Sequence, residues 1–480
     1  MEKGLKVSVT SEVGRLRRLL VHSPDSGLGK VIPAKAQDLL YEDIVHLDTI
    51  RSKEYDYYTK ILLYFLDYDK IKGKLYEIDS TYNKRRFYIP NDPSFYKSDK
   101  VVELQWLLKD ILTDEKIKIA LVSAICSAEG CSYATTQSLI NYAPDILANT
   151  LISGSDENNL LIFKPITNLI FTRDIGITIN NYILLTKPAK AAREREGLLA
   201  KYIFFNHPLF AEYNNNVIEL SDSEYSFLIP STVDEKRFTI EGGDLMLVSK
   251  NHLLVGVSER TTYEGAAKIV STMFEKNIVD KVTIVKIPKK RDYMHLDTVF
   301  TQVKRNVWVM HSVFSNEAIK KMGANVIENA LELNKEEKVK ITQFLKTDPS
   351  APVKFETLED LIRDISKNDL KCDEDVKIIF SGNNEYISGL REQWTDSCNL
   401  LALKEGVVLA YDRNDKTTES FAANGFKIIK ASDLIEQLEA GTLHPDTITD
   451  TFVLMPSGEL SRARGGFHCM SMPILRDDID

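Results

Sequence analysis

Short apolar runs that alternate with helical patterns most strongly constrain how this chain can fold. Each run has four to six mostly branched or aliphatic residues, which is typical of buried strands. Helical spacing, as in Leu358, Leu361, Ile362 and Ile365, occurs between several of the runs. The alternation predicts an α/β fold built from repeated small units. The runs that we predict as strands are LLIFK (160–164), YILLT (182–186), HLLVGV (252–257), VTIVK (282–286), NVWVM (306–310), KIIF (377–380), GVVLAY (406–411) and FKII (426–429).

Two parts of the chain depart from this alternation. Residues 70–155 carry apolar stripes at helical spacing and several alanines, and we predict a helical insertion there. Residues 315–372 form a charged stretch with helical patterns, which we predict to be a helical elaboration of the surface with no assigned function.

Charge and cysteine content narrow the class of protein. The 61 Lys and Arg residues against 70 Asp and Glu give a net charge of −9, so nucleic acid is not an expected partner. No apolar run reaches the roughly 18 residues that a membrane span requires, so no membrane partner is expected. The five cysteines are scattered without the spacing of a structural zinc site, which favours a reduced, cytoplasmic protein.

The densest chemical signal is the segment SGELSRARGGFHCMSMPILRDD near the end of the chain. Cys469 follows two arginines, Arg462 and Arg464, a pair of glycines and His468. Cationic neighbours lower the pKa of a thiol, and glycines let a ligand approach the backbone closely. Cys469 is therefore a candidate nucleophile. The alternative is a buried, inert thiol.

The segment MHLDTVFT supplies a candidate acid/base group. On an extended backbone, His295 and Asp297 at i and i+2 lie on the same face. The imidazole could then transfer protons while the carboxylate binds a cation in the same cleft. Side chains of adjacent residues usually point in different directions, so we do not expect His468 to serve Cys469. The alternative for His295 is a structural histidine.

Two further segments place carboxylates beside expected strands. EGGDLMLVS begins at Glu241, and a glutamate at the mouth of a strand could orient an imidazole; the alternative is an ordinary turn. NLIFTRDIG supplies Asn168, Phe171, Arg173 and Asp174 just before a glycine. The alternative there is an Arg–Asp ion pair at a strand end.

Together and in this order, the motifs resemble the arginine deiminase family of guanidino-group-modifying enzymes. The resemblance spans nearly the whole chain, from residue 10 to residue 476. It implies a five-fold pseudosymmetric α/β propeller of ββαβ units, in which 1–480 is a single catalytic domain with an inserted helical domain. Assembly into homo-oligomers is common in the family. The resembling stretches are TSEVGRLRRLLVHSP, FTRD, EGGD, SERTT, HLDTVFT, REQW, GVVLAYDRN and SRARGGFHCMSMP.

The resemblance also implies a reaction, the hydrolysis of free L-arginine to L-citrulline and ammonia through a covalent thiouronium intermediate. Cys469 would be the nucleophile, His295 the acid/base group and Glu241 its orienting partner. Asp174 and Asp297 would hold the substrate guanidinium, because a planar guanidinium offers a fixed fork of donors to two carboxylates. The reaction needs no metal or organic cofactor.

By the same resemblance, a second group of residues recognises the amino-acid end of arginine. Arg193, Arg260 and Asn168 would bind the α-carboxylate and amino groups, and Phe171 would pack on the aliphatic part. Arg464 would lie near the substrate carboxylate or the nucleophile. For each arginine the alternative is a solvated charge or a structural ion pair, and the AAREREG segment that holds Arg193 also admits another register.

Departures from the family pattern leave the substrate open. Ala463 and Phe467 stand where small residues are common, which puts the shape of the pocket in question. The alternatives are an amidinotransferase, a deiminase of another guanidine such as agmatine or a peptidyl arginine, and a non-catalytic arginine-binding scaffold. The carboxylate clamp of Arg193 and Arg260 favours a free amino acid, and the complete catalytic set disfavours the scaffold.

Overall fold

The short apolar runs form strands that pair in one repeated pattern. The structure is a computed structural model that describes residues 5–80, 98–221, 238–315, 317–318 and 339–479. Within those residues the strands, in chain order, are β1 (Leu16–Val21), β2 (Val101–Glu103), β3 (Gly176–Ile179), β4 (Tyr182–Leu185), β5 (Val217–Ile218), β6 (Leu245–Ser249), β7 (His252–Val257), β8 (Lys281–Lys286), β9 (Phe300–Lys304), β10 (Val307–His311), β11 (Lys340–Leu345), β12 (Asp348–Phe355), β13 (Lys377–Ser381), β14 (Leu401–Lys404), β15 (Val407–Tyr411), β16 (Lys427–Lys430), β17 (Thr451–Met455) and β18 (Met472–Arg476).

These strands make five sheets in the described part of the chain. Their orders are β18-β1-β2, β3-β4-β5, β12-β11-β8-β7-β6, β13-β10-β9 and β14-β15-β17-β16. Every sheet contains an antiparallel pair, one strand of which also pairs in parallel with a further strand, for example β3 with β4 and β4 with β5. Because a parallel pair needs a crossover connection, helices follow the antiparallel pairs.

The helices lie between the strands, as the alternating pattern predicts. The α-helices are α1 (Leu47–Thr49), α2 (Asp56–Leu66), α3 (Tyr68–Ile71), α4 (Leu75–Ser80), α5 (Leu104–Ile111), α6 (Glu115–Glu129), α7 (Tyr133–Ile140), α8 (Pro144–Ser153), α9 (Glu194–Asn206), α10 (Tyr263–Glu275), α11 (Leu358–Asp364), α12 (Tyr386–Trp394), α13 (Asp415–Ala423) and α14 (Ala431–Ala440). Two π-helical segments, Ile50–Tyr55 and Ile365–Asp369, continue α1 and α11. A mixed α/β fold is confirmed. Among the described residues, no helix has both the length and the apolar character to cross a membrane.

Seven of the eight predicted strand runs are strands in the structure, and one is not. LLIFK (160–164) was predicted as a strand, but there the chain makes only an isolated bridge between Ser155 and Leu161. Gly154 ends α8 in a left-handed turn, and Leu160 and Leu161 then point outward. Side chains that find no sheet to pack against cannot stabilise a strand, whatever their propensity.

The two predicted helical regions differ from one another. In 70–155, where residues 81–97 lie outside the described part, helices α5 to α8 occupy most of the rest. In 315–372, residues 319–338 lie outside it, and the prediction of helix is wrong for the hairpin β11–β12. Strand β11 pairs along its whole length with β8, so sheet pairing overrides the helical pattern of that segment.

Candidate active site

The predicted site residues come from turns at the starts of the five sheets. Asp174 lies two residues before β3, and Glu241 lies four residues before β6. Asp297 lies three residues before β9, and Cys469 three residues before β18. The equivalent position in the fifth sheet, just before β14, is occupied by Asn399. The repeated sheet pattern therefore supplies the site with one segment from each sheet.

His295 and Glu241 form the first half of the site. The Nε2 atom of His295 donates to Oε2 of Glu241 at 2.8 Å, and both side chains are buried. Burial alone would lower the pKa of His295, but the nearby Asp174 and Glu241 carboxylates raise it to about 10. A Cβ at Gly243 would come within 2.6 Å of the imidazole Nδ1, so a glycine is required beside the ring. The imidazole is therefore a cation that holds its proton at neutral pH.

Cys469 and Asp297 form the second half. The Sγ atom of Cys469 donates to Oδ2 of Asp297 at 3.5 Å, and Nδ1 of His468 donates to the same oxygen at 2.8 Å. The other oxygen of Asp297, Oδ1, has no hydrogen-bond partner within the described residues. Burial, followed by Asp297, Asp174 and Asp396, holds the pKa of the Cys469 thiol well above its ordinary value. The Cys469 thiol is therefore neutral at neutral pH.

This result corrects two sequence-based interpretations. Cationic neighbours were expected to lower the pKa of Cys469, but Arg462 pairs with Asp43 and Glu459 instead. An extended backbone was expected from His295 to Asp297, but Leu296–Thr298 forms a 3-10 turn. In the structure His295 donates to Glu241, whereas Asp297 accepts from His468 and Cys469, so the two side chains have different partners.

Asp174 and Arg193 lie between these halves. The Nη1 atom of Arg193 donates to Oδ2 of Asp174 at 2.5 Å, and its Nε and Nη2 atoms donate to Oε2 of Glu196. Backbone N–H of Gly243 donates to Oδ1 of Asp174 at 3.3 Å. Arg193, which we predicted to bind the substrate carboxylate, is thus paired with Asp174, which we predicted to bind the substrate guanidinium.

The other predicted binding residues are buried around the same space. Arg260 has Nη1 3.8 Å from Oε1 of Glu241, and Asn168 donates from Nδ2 to the carbonyl of Leu39 at 2.8 Å. The Phe171 ring packs so closely on Gly465 that an added Cβ there would lie 2.3 Å from it. Arg464 stacks on the Trp394 ring, with its guanidinium carbon 3.6 Å from the ring centroid.

Arg464 differs from the other buried arginines in the site. It is 6% exposed, and none of its Nε, Nη1 and Nη2 atoms has a hydrogen-bond partner within the described residues. Its backbone has φ +63°, the left-handed conformation. A buried guanidinium without an acceptor is costly, so this group is suited to an anionic ligand.

A small cavity joins these groups. Its volume is about 20 Å³, enough for a water molecule but not for an amino acid. A second cavity of about 750 Å³ shares Leu40 with it and reaches Arg291, which pairs with Glu42. Asp297 does not line the small cavity, and its Oδ2 accepts the hydrogen bond from Sγ of Cys469. The lining residues are Leu40, Asn168, Phe171, Asp174, Arg193, Glu241, Arg260, Met294, His295, Thr298, Asp396, Arg464, Gly465 and Cys469.

One group of side chains has the spacing of a metal site. Ligand atoms of Asp174, Glu241 and His295 all lie within 4.8 Å of one another. The hydrogen bond from His295 to Glu241 and the ion pair of Arg193 with Asp174 already account for this proximity. We assign no metal to the group.

Sequence reasoning missed or dismissed three residues of the site. His468 was set aside as a neighbour of Cys469, yet it reaches the cysteine indirectly through Asp297. Asp396 and Asn399 follow the REQW motif, but no role was given to the segment. Their position before β14, matching that of the other site residues before their strands, is the signal that could have found them.

Known proteins with similar sequences share one description. A family model described as "Arginine deiminase" matches residues 100–442. The chain is 30% identical to a protein named arginine deiminase from Borreliella afzelii, over 98% of each chain. It is 29% identical to one of the same name from Staphylococcus aureus strain JH9, over 98% of this chain and 99% of the other. The fold and site define a candidate guanidino-group-modifying enzyme. The chain belongs to the arginine deiminase family.

Solved structures show a weaker likeness. An amidinotransferase from Microseira wollei aligns with a TM-score of 0.41 and 14% identity, over 98% of both chains. A likeness at this level carries no argument about the activity of this chain.

Proposed function

We propose that the protein hydrolyses free L-arginine to L-citrulline and ammonia. The observation that carries the proposal is the meeting, in one buried site, of a cysteine thiol, a protonated histidine and the carboxylates Asp174, Glu241 and Asp297. A guanidinium is a planar cation, and carboxylates are its natural acceptors. Family membership agrees with this chemistry.

The first half of the reaction forms a bond to sulfur. Asp174 and Asp297 hold the guanidinium, whose positive charge offsets the carboxylates that oppose ionisation of Cys469. The thiol then passes its proton to a neighbouring carboxylate, and Sγ attacks the central guanidinium carbon. His295, which holds its proton at neutral pH, protonates the departing nitrogen, and ammonia leaves as the carbon–nitrogen bond breaks.

The second half of the reaction uses water. His295, now neutral, takes a proton from a water molecule, and the resulting hydroxide attacks the same carbon. The carbon–sulfur bond breaks, sulfur takes back the proton held by the carboxylate, the added oxygen loses its proton to solvent, and neutral citrulline leaves. Glu241 keeps the imidazole in position through both steps, because it accepts a hydrogen bond from Nε2 of His295. The other ring nitrogen, Nδ1, then faces Asp174, 3.8 Å from its Oδ1.

The amino-acid end of the substrate is the reason for proposing arginine rather than agmatine. Arg260 and Arg464 are buried cations, and the Arg464 guanidinium has no hydrogen-bond acceptor within the described residues. An α-carboxylate would supply one, whereas agmatine has none to offer. Because the cavity is about 20 Å³, binding requires side chains to move. The incoming guanidinium would replace Arg193 at Asp174 and release it for the carboxylate.

We also propose a wider architecture and setting. The five sheets, each with an antiparallel pair followed by a parallel partner, support a five-fold pseudosymmetric propeller as one catalytic domain, with residues 70–155 as a helical insertion. All five cysteines are free, which supports a reducing, cytoplasmic setting. Homo-oligomeric assembly is proposed on the family resemblance.

An assay of products from matched substrates tests the proposed function. Purified protein is incubated with L-arginine, with agmatine, and with L-arginine plus glycine, and citrulline, ammonia and ornithine are quantified. We expect equimolar citrulline and ammonia from L-arginine and little turnover of agmatine. Ornithine formed only when glycine is added would instead identify an amidinotransferase. Equal turnover of agmatine would refute the role of the carboxylate clamp.

A further inference from the structure

Asn399 makes hydrogen bonds to both the backbone and the side chain of Cys469. The backbone N–H of Cys469 donates to Oδ1 of Asn399 at 3.0 Å, and Nδ2 of Asn399 donates to Sγ at 3.2 Å. A backbone N–H can only donate, so the amide oxygen must face it and the amide nitrogen must face the sulfur. The orientation of this amide is thus fixed by its partners.

The surroundings hold Asn399 rigidly. Its side chain is buried, its own N–H donates to the carbonyl of Asp396 at 3.0 Å, and its carbonyl accepts from the N–H of His468 at 3.4 Å. Its Nδ2 also reaches the carbonyl of Asp297 at 3.4 Å. A Cβ on Gly466 would lie 2.6 to 2.8 Å from atoms of Asn399, so only glycine leaves room for this placement.

The charges around Cys469 make such a donor important. Asp297, Asp174 and Asp396 all oppose a negative charge on sulfur, and Asn399 acts against them. The further charged or titratable groups around the thiol are His295 and Arg464, which share its cavity, Tyr411, whose hydroxyl donates to the carbonyl of Gly465, and His468, which donates to Asp297. Among the described residues, Asn399 Nδ2 donates a hydrogen bond to Sγ at 3.2 Å, which the charged groups around the thiol do not.

We propose that Asn399 is a further catalytic residue, whose Nδ2–H holds the sulfur of Cys469 and stabilises its thiolate. The hydrogen bond exists in the resting thiol, where Sγ accepts from Asn399 and donates to Asp297. When the thiol proton leaves, the Asn399 bond becomes charge-assisted and therefore stronger. Asn399 itself exchanges no proton. This inference rests on the proposed function only in taking Cys469 as the nucleophile.

Alkylation of Cys469 without substrate tests the proposal. Wild-type protein and Asn399→Asp are treated with iodoacetamide across a pH series, and the modified Cys469 peptide is quantified by mass spectrometry. Asp keeps the acceptor for the backbone N–H but turns an anion towards sulfur. Because one pKa unit changes the thiolate fraction tenfold, we expect alkylation at neutral pH to fall roughly tenfold or more.

Two other variants control the experiment. Asn306→Asp makes the same change at a buried asparagine that contacts Glu374 rather than the site, and its Cys469 alkylation should match wild type. Asn399→Ala removes both contacts without adding charge, and its rate of Cys469 alkylation should lie between those of the wild type and Asn399→Asp. If folded Asn399→Asp and Asn399→Ala both alkylate with the wild-type pH profile, the proposal is overturned.

Turnover separates this inference from the proposed function. With L-arginine, kcat of Asn399→Ala should fall roughly tenfold or more while KM changes little, because the amide bonds the sulfur of Cys469 and Asn399 itself does not line the cavity. A wild-type protein that makes no citrulline, but shows the alkylation difference, would refute the proposed function and leave the role of Asn399 intact. A rise in KM alone would refute that role.

Discussion

The two halves of the site respond in opposite ways to the same carboxylates. Around His295, Asp174 and Glu241 stabilise a positive charge and raise the pKa of the imidazole to about 10. Around Cys469, burial and the carboxylates Asp297 and Asp174 oppose a negative charge and keep the thiol protonated. The proposed acid, His295, therefore carries its proton, whereas the proposed nucleophile, Cys469, is not ionised. We expect a cation placed between the halves to activate the thiol.

Replacing the proposed nucleophile removes one half entirely and has the largest expected effect. Cys469→Ser should lower citrulline formation by roughly 10⁴-fold or more, since a hydroxyl is far harder to ionise than a thiol. Arginine binding, measured by calorimetry, should persist because the carboxylates remain. Cys372→Ser, at a half-buried cysteine away from the site, serves as the matched control and should keep full activity. Substantial turnover by Cys469→Ser would show that another group attacks.

Replacing the carboxylate of the other half should shift the pH profile. In Glu241→Gln the imidazole loses a negative partner, so its pKa falls from about 10 towards its ordinary value. Because the step needs protonated His295, activity is lost as pH rises through that pKa. The alkaline limb of kcat should therefore move down by a unit or more, with kcat lowered roughly 10² -fold. An alkaline limb that stays in place would mean that it does not report His295.

A third prediction concerns Arg260, which we propose binds the substrate carboxylate and takes no part in the chemistry at either half of the site. Arg260→Ala should raise KM for L-arginine roughly tenfold to a hundredfold, through loss of a charged hydrogen bond, with a smaller change in kcat. Agmatine, which has no carboxylate, should be turned over equally poorly by the variant and the wild type. If Arg260→Ala lowers the turnover of agmatine as strongly as that of arginine, Arg260 would instead act by positioning Glu241.

Replacing Arg462, which the sequence suggested would lower the thiol pKa, should have almost no effect on activity. Arg462→Ala breaks exposed ion pairs with Asp43 and Glu459, and such pairs contribute about 0 to 1 kcal/mol to the free energy of unfolding. Citrulline formation should stay within roughly twofold of wild type, because Arg462 does not line the cavity. A large loss of activity, measured beside an unchanged melting temperature, would restore the original expectation that this cation lowers the thiol pKa.

Features that depend on local sequence could be predicted, whereas features that depend on distant residues could not. Seven apolar runs were enough to predict strands, because buried branched side chains specify sheet positions locally. The motifs located all ten predicted residues in one buried region, although their roles stay predictions. The state of Cys469 could not be predicted, since it depends on Asp297, Asp174 and Asp396, which the fold brings together from three distant segments.

The missed residues share a physical cause. Asn399 has no charge and belongs to no sequence pattern of acids, bases or nucleophiles, so its position before β14 was the one sequence signal, and its contacts with Cys469 show what it does there. The hairpin β11–β12 was missed because its pairing with β8 is a long-range interaction, which no local helical pattern can report.

A titration of the Cys469 thiolate by its ultraviolet absorbance, with and without L-lysine, tests the central claim most directly. Lysine carries a cation on a similar side chain but lacks the guanidinium carbon that sulfur would attack. Cys469→Ser provides the blank. We predict that the free protein holds a neutral thiol at pH 7 and that bound lysine lowers its pKa by about one unit or more. A thiolate already present in the free protein at pH 7, or a pKa that bound lysine leaves unchanged, would contradict the account.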